Sequence, residues 1–200
     1  YCLSSSHGGA LSCGSSVYRL LVEQSSFISC LISSGYGGAI HFDSRTYGES
    51  VLSRICGFNC SSTSSSTMQG VFANIYPKNN IANKNHVNDS SITQCIQGSS
   101  SSHVTLLLHY GNILCPSVNL TNNLCYRYSA LYCYQSSSDT CCVSYSSIVN
   151  NTASGYDCVF FYNSSPSHCI DTCNILNNKQ TSSTNGIIYA SGNFLIKDSC

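Results

Sequence analysis

Charged residues are scarce in this sequence: they make up 8% of its 200 residues, and the formal net charge is zero. Because no basic stripe is available to neutralise phosphates, we expect neither a nucleic-acid partner nor a polybasic patch on a membrane surface. Long apolar runs are lacking too, since residues 104–108 fall far below the roughly 20 residues that a membrane span needs. No signal peptide opens the chain, which starts Tyr1-Cys2-Leu3, so we expect a mature or truncated sequence.

Strong helix formers are also few. The chain has one Met and little Ala, Glu or Lys, and its polar residues are mainly Ser and Asn, which favour turns over helix interiors. Hydrophobic residues nevertheless reach 42%, with 14 Tyr and 7 Phe, whereas disordered chains are poor in aromatics and rich in net charge. We therefore expect a chain that buries a core and is all-β.

Cysteine is abundant, with 15 residues, but no C-x2-C pair occurs and the C-x3-C spacings lack a paired histidine motif. We therefore expect disulfides of a secreted, extracellular or cell-surface protein, and neither a metal nor another cofactor. The odd number predicts a fragment, a free thiol or an intermolecular bond. Five N-x-S/T sequons also favour a glycosylated protein of a eukaryotic secretory route, at Asn59, Asn88, Asn119, Asn150 and Asn163.

An internal repeat with a period of about 27–28 is the clearest structural signal. Its first motif is an apolar residue, two variable residues and then Asn or Cys. From Phe27, one full period leads to the variant ICGF at Ile55, and the next step, to Ile92, is clearly longer. The extra length of that turn predicts a long loop insertion at residues 76–91. The clear copies read FISC at 27–30, ITQC at 92–95, LTNN at 120–123, IVNN at 148–151 and ILNN at 175–178.

A second motif follows each first one and consists of short β-branched or aromatic runs, separated by turn-forming Ser, Asn and Gly. Two strand signals per repeat suit a β-solenoid better than a hairpin or a helical crossover. We predict one domain, residues 1–200, that forms a right-handed parallel β-helix of about seven coils and about 35 Å length. Cys2 precedes Cys30 by one period and Cys200 follows Cys173 by one period, so we expect an uncapped fragment that begins and ends in mid-coil.

The pairing of GGAL or GGAI with F-x-x-N resembles the repeat of polymorphic outer-membrane-protein-type and related β-helix surface proteins. Residues 8–11 and 37–40 match its first half, and FISC matches the second with Cys in place of Asn. Residues 148–151 and 175–178 match with Ile in place of Phe. The resemblance covers essentially the whole chain, and the cysteines and sequons resemble a eukaryotic or protist version. It implies extracellular display and adhesion, and it carries no catalytic residues.

Equivalent residues of stacked coils should lie above one another. The spacing predicts a structural ladder of Asn123, Asn151 and Asn178. It also allows disulfides between coils, such as Cys2–Cys30 or a pair within the set Cys115, Cys142 and Cys169, with buried reduced thiols as the alternative. Cys173 and Cys200 are further disulfide candidates.

Three more expectations concern single positions. Cys141 and the adjacent Cys142 should point to opposite faces of a strand. His41 and His109 share a place in the second motif, and we expect them to face solvent two coils apart, too far for one metal ion. Asp171 and Asp198 are one period apart and could stack as a carboxylate pair, although the repeat alone accounts for them.

Three functions remain open from the sequence. The first is a non-enzymatic structural or adhesive rod whose copies assemble end to end into a fibre. The second is an adhesin that binds host protein or glycan through residues 76–91, since long loops on rigid scaffolds often carry binding. The third is a carbohydrate-active enzyme, because some parallel β-helices are polysaccharide lyases or hydrolases.

Overall fold

The computed structural model describes residues 1–63, 69–96, 103–135, 140–162, 167–182 and 186–200. These residues form 26 strands and no helix. All strand pairs are parallel, and the strands stack as a β-solenoid of about six turns, slightly fewer than expected. The all-β solenoid predicted from the repeat is confirmed, whereas its right-handedness stays a prediction.

The strands are short. In chain order they are β1 (Cys2–Ser4), β2 (Leu11–Cys13), β3 (Arg19–Glu23), β4 (Ser26–Ile28), β5 (Cys30–Ile32), β6 (Ile40–Asp43), β7 (Glu49–Ser53), β8 (Cys56–Phe58), β9 (Ser61–Ser62), β10 (Gln69–Tyr76), β11 (Lys84–Asn88), β12 (Ser90–Thr93), β13 (His103–His109), β14 (Asn112–Pro116), β15 (Val118–Thr121), β16 (Leu124–Cys125), β17 (Tyr128–Tyr134), β18 (Cys141–Ser144), β19 (Ser147–Val149), β20 (Thr152–Ala153), β21 (Val159–Tyr162), β22 (Ser167–Asp171), β23 (Asn174–Leu176), β24 (Lys179–Gln180), β25 (Ile188–Ala190) and β26 (Asn193–Lys197).

These strands form five sheets, numbered here I to V. Sheet I has the order β2-β6-β10-β13-β17-β21-β25, and sheet II the order β26-β22-β18-β14-β11-β7-β3. Sheet III has the order β23-β19-β15-β12-β8-β4, and the three-stranded sheets IV and V have the orders β1-β5-β9 and β16-β20-β24.

The register places the first motif of the second full turn two residues later than the repeat period predicts. Phe27 pairs with Gly57, and Gly57 pairs with Ile92, so the motif in that turn is GFNC at 57–60 rather than ICGF at Ile55. A glycine stands at the apolar position because the Phe72 ring fills the space. A Cβ atom on Gly57 would lie 2.4 Å from that ring.

The predicted long loop at 76–91 is wrong in its extent. Within it, only residues 77–83 lie in a loop, apart from the single corner residue Asp89, because β11 and β12 occupy most of the rest. The polar sequence of β11 suggested a loop, but its Asn85 is buried and paired. The Ser50 hydroxyl donates to Asn85 Oδ1 at 3.2 Å, and Asn85 Nδ2 donates to the His109 carbonyl at 3.0 Å.

One continuous apolar core runs through the turns, with Phe42, Phe72 and Phe161 among its largest buried side chains. Burying a side chain of this size stabilises the fold by about 1.5–3 kcal/mol. Sheet I is also covered on its outer face, where Val104, Leu107, Tyr128 and Tyr132 form a second buried cluster. Every residue of β13 is therefore buried.

Two corners of each turn flank sheet III, and both are made by a single residue with positive φ. A single residue in the left-handed conformation bends the chain sharply, and Asn tolerates this conformation better than most residues. Before sheet III these residues are Gln24, Arg54, Asp89, Ser117, Tyr145, Thr172 and Asp198. After sheet III they are Ser29, Asn59, Gln94, Asn122, Asn150 and Asn177.

Candidate functional site: the inner corner column and the outer face of sheet I

The residue after the second corner points inward and repeats in every turn. We call these residues the corner column. The chain bends from one sheet to the next at the corner, so the peptide groups beside it need hydrogen-bond partners that the sheets do not supply. The column consists of Cys30, Cys60, Cys95, Asn123, Asn151 and Asn178.

The three asparagines form the predicted ladder. Asn151 Oδ1 accepts hydrogen bonds from the backbone N–H and the side-chain Nδ2 of Asn123, both at 3.0 Å. Asn178 Oδ1 does the same for Asn151, at 3.0 Å for both bonds. Each amide also donates to a backbone carbonyl of the preceding turn, as Asn151 Nδ2 does to the Leu120 carbonyl at 2.8 Å. The central amide, Asn151, is therefore hydrogen-bonded to both neighbouring turns.

The three thiols occupy the same column in the earlier turns. Cys60 Sγ donates to the Phe27 carbonyl at 3.4 Å. At the junction between the thiols and the amides, the Cys95 backbone N–H donates to Asn123 Oδ1 at 2.9 Å. The Cys95 thiol, hydrogen-bonded to Cys60, lowers the pKa of Cys60 to about 7, whereas burial raises that of Cys30 to about 12. The first motif places Cys30 and Cys95 at the position of the asparagines, but it misses Cys60, because the register of that turn departs from the repeat period.

The candidate disulfide cysteines divide into three groups. Cys142 and Cys169 are register partners on the outer face of sheet II and form a disulfide. Cys115 does not belong to their column, since it pairs with Val143 and is buried. Its predicted stacking on Cys142 is therefore wrong.

The remaining candidates have free thiols. Cys2 is in register with Cys30, as the spacing suggested, but the two are not bonded. Cys173 is buried and Cys200 is exposed, and the Cys200 N–H donates to the Cys173 carbonyl at 3.0 Å. Thirteen cysteines in all are free thiols in this structure.

Aromatic rings stack along the outer face of sheet I. The rings of Tyr76 and His109 are 3.6 Å apart and nearly parallel, and those of Tyr134 and Tyr162 are 5.1 Å apart. A second row contains Tyr132, Phe160 and Tyr189, with centroids 5.2 Å and 4.8 Å apart. Most ring faces in these rows are therefore occupied by neighbouring rings.

The two histidines are buried rather than solvent-facing, and they do not share a column. His41 pairs with Asn74, whereas His109 pairs with Tyr134 one row further out. Burial, with a smaller effect of His7, lowers the pKa of His41 to about 4. Burial likewise lowers the pKa of His109 well below its usual range. Within the described ranges, no three His, Cys, Asp or Glu side chains are placed to hold a metal ion.

The carboxylates are dispersed. Asp171 pairs with Lys197, and Asp198 occupies the next corner position, so the two aspartates do not stack as considered from their spacing. Asp43 instead forms a bidentate ion pair with Arg45, with both N···O distances 3.0 Å. The Arg45 guanidinium also lies over the Tyr76 ring, 4.6 Å from its centroid.

The described sequons all lie on or beside sheet III. Asn59, Asn119 and Asn150 are exposed, and Asn88 is partly exposed at the end of β11. Asn163 lies outside the described residues. Attached glycans at these four positions would cover one side of the solenoid and leave the outer face of sheet I clear.

No helix long and apolar enough to cross a membrane occurs among the described residues. Comparison with protein-family models, with curated proteins and with solved structures finds no match to this chain.

Proposed function

We propose that this chain is a non-enzymatic, glycosylated, extracellular β-solenoid rod with a structural or adhesive role. The corner column carries the proposal. Its amides and thiols are the polar and nucleophilic groups that recur in every turn; all but the last, Asn178, are buried, and their side chains bond to neighbouring turns. Side chains used in this way stiffen a rod and are not free to bind a substrate.

The cysteines and sequons support the extracellular location. A disulfide at the partly exposed pair Cys142 and Cys169 is expected to persist only in an oxidising compartment. Exposed sequons on one side of the molecule suit a surface protein whose other side remains available for contact.

Assembly of copies into a fibre is part of this proposal. Strands β3 and β26 are the edge strands of sheet II, and the last turn leaves about half of the core-facing Ile196 exposed beside the buried Ile170. Stacking on further β-structure would bury this side chain and pair the strand edges. Electron microscopy of the native protein is expected to show filaments, and isolated short particles at high concentration would count against self-assembly.

Peptide mass mapping without reduction tests the location. On protein taken from its natural source, we expect glycans at Asn59, Asn119 and Asn150 and a linked Cys142–Cys169 peptide pair. Unmodified sequons together with fully reduced cysteines would overturn the extracellular assignment. The same map on protein made in a secreting eukaryotic host serves as the control for accessibility of the sequons.

An adhesin that binds through the loop at 77–83 is the second candidate. This loop exposes 47% of Ile81 and is anchored at both ends, because Lys78 N–H donates to the Gly48 carbonyl at 2.8 Å and Asn83 Nδ2 donates to the same carbonyl at 2.9 Å. An exposed apolar side chain on an anchored loop suits recognition of a protein or glycan. Binding to cells or a glycan array should then be lost in Ile81→Ser and retained in the control Tyr145→Ser, which alters another exposed side chain.

A further inference from the structure

Two buried thiols of a single turn approach each other across the interior. The sulfur atoms of Cys133, in β17, and Cys141, in β18, are 2.7 Å apart, and neither residue has any exposed surface. A disulfide bond is about 2.05 Å long, so the two sulfurs are within a small displacement of bonding, with no atom between them. In the corner column, Cys60 also meets the Cys95 thiol, but its Sγ lies within hydrogen-bond distance of two backbone carbonyls, those of Phe27 and Phe58.

We propose that Cys133 and Cys141 form a second disulfide, which joins sheet I to sheet II inside one turn. The Cys142–Cys169 disulfide, in contrast, joins neighbouring turns on the outside. Cys141 faces inward and Cys142 outward, as expected for adjacent strand residues, so both bonds can exist at once. The two disulfides together would brace the same turn in two directions.

The bond forms by oxidation of both thiols. A disulfide-bearing oxidant, either a small-molecule disulfide or a thiol–disulfide oxidoreductase, is attacked by one thiolate and releases one reduced thiol. The second cysteine then attacks the mixed disulfide, which forms the Cys133–Cys141 bond and releases the second reduced thiol. Two protons leave the protein, and the oxidant takes up two electrons.

Burial sets the order of events. The Cys141 thiol is fully enclosed and its pKa is raised well above the usual range by burial, so a thiolate at this position is disfavoured once the turn has packed. The exchange therefore belongs to the folding of this turn. After folding, the inner disulfide is shielded from reductants, whereas Cys142 and Cys169 remain partly exposed.

Cys115 is the competing partner. It is buried in the preceding turn, and its pKa is raised by burial and then by the neighbouring Cys133 and Cys173. A Cys115–Cys133 or Cys115–Cys141 bond would contradict the proposal. The 2.7 Å separation favours Cys133–Cys141 over both.

The test uses the full chain refolded in a buffer of reduced and oxidised glutathione, which supplies the oxidant regardless of where the protein normally resides. Free thiols are alkylated in denaturant, and the peptides are mapped without reduction. In the double variant Cys142→Ser/Cys169→Ser, we expect a Cys133–Cys141 link that disappears in Cys133→Ser and survives in Cys115→Ser. Alkylated Cys133 and Cys141 in the folded double variant, or a link of either to Cys115, would overturn the proposal.

A second measurement does not depend on the folding of any variant. Native wild-type protein is treated with dithiothreitol, and fragmentation between Cys141 and Cys142 assigns each link. We expect the rate of reduction of the inner disulfide to be at least about tenfold lower than that of Cys142–Cys169, since attack requires access to the sulfur. Equal rates, or no inner link to reduce, would contradict the proposal.

Discussion

The two halves of the corner column solve one structural problem with different chemistry. Cys30, Cys60 and Cys95 occupy it in the earlier turns, and amides continue it from Asn123 onward. An amide donates and accepts, so Asn123 and Asn151 each accept a backbone N–H of the preceding turn and donate to the amide of the next turn. A thiol is a weak donor and acceptor, and it mainly fills space.

This difference shows what the position requires. Any side chain there must be small, inward-facing and able to donate to a carbonyl of the preceding turn, since both Cys60 and Asn151 do so. Both halves therefore bond neighbouring turns through side chains, but only the amide half also accepts the backbone N–H of the preceding turn through a side-chain oxygen. We therefore expect the amide half to depend on its side chains more strongly than the thiol half.

Removing the central amide should have the largest effect. Asn151→Ala removes the acceptor of the buried Asn123 N–H and three further hydrogen bonds. We expect a loss of about 2–4 kcal/mol in the free energy of unfolding, because buried donors are left unpaired. Guanidinium denaturation measures it, with the exposed Asn193→Ala as the control that should change stability by less than about 0.5 kcal/mol. A similar loss in both variants would contradict the ladder.

Acid should destabilise the protein without involving either half of the column. The pKa of His41 is lowered to about 4 in the folded state, so the unfolded chain takes up the proton first as the pH falls below about 6.5. The stabilising contribution of neutral His41 is fully present above that pH. The free energy of unfolding should therefore fall by about 2 kcal/mol between pH 7 and pH 5. The pKa values of His86 and His168 are lowered in the same direction, which adds to the loss.

Comparing variants at the two pH values separates the histidine from the column. His41→Gln should show a shallower dependence on pH, whereas the Asn151→Ala defect should be equal at pH 7 and pH 5 because amides do not titrate. A stability that is flat from pH 7 to pH 5 would refute the assigned role of the histidines.

Exchanging the two residues at the junction tests the comparison directly. Asn123→Cys leaves the Cys95 N–H without its side-chain acceptor and should lower stability by about 1–3 kcal/mol. Cys95→Asn extends the amide ladder by one turn in a side chain of similar volume and should stay within about 1 kcal/mol of the wild type. If denaturation showed a larger loss for Cys95→Asn than for Asn123→Cys, the idea that an amide replaces a thiol in this column more easily than the reverse would be wrong.

Truncating a thiol should have the smallest effect. Cys60→Ala removes one buried sulfur and its weak hydrogen bond and is expected to lower stability by about 1 kcal/mol. The exposed Cys56→Ala, earlier in the same turn, provides the matched control and should be close to neutral. A loss as large as that of Asn151→Ala would show that the thiols bond the turns together as strongly as the amides do.

The sequence predicted the column best where its spacing equals the local register. The steps from Asn123 to Asn151 and from Asn151 to Asn178 equal those of the strand pairs beside them, Leu120–Ile148 and Ile148–Ile175. Cys115 and Cys142 are one period apart as well, but the local register is one residue longer, because Leu114 pairs with Cys142. A slip of one residue turns a side chain to the other face of the sheet, so Cys115 lies in the core and Cys142 outside.

The pair Asp171 and Asp198 is also separated by a slip in register, but here the register step is shorter than the spacing. Asp171 pairs with Lys197, the residue before Asp198, so the local register is shorter than their spacing and Asp198 falls at the corner. In the thiol half the register grows well beyond the period, as the pairs Phe27–Gly57 and Gly57–Ile92 show. An average period therefore could not locate Gly57 or the strand β11.

By itself, the sequence determined the parallel solenoid and the asparagine ladder, because a repeated motif in equivalent turns can satisfy its backbone only by stacking on its own copies. Only the tertiary structure decided which residues share a face, since local insertions and single-residue slips change the register without changing the period. It also decided which cysteines meet. Cys133 and Cys141 come together across the interior of a turn, a direction in which the axial period carries no information.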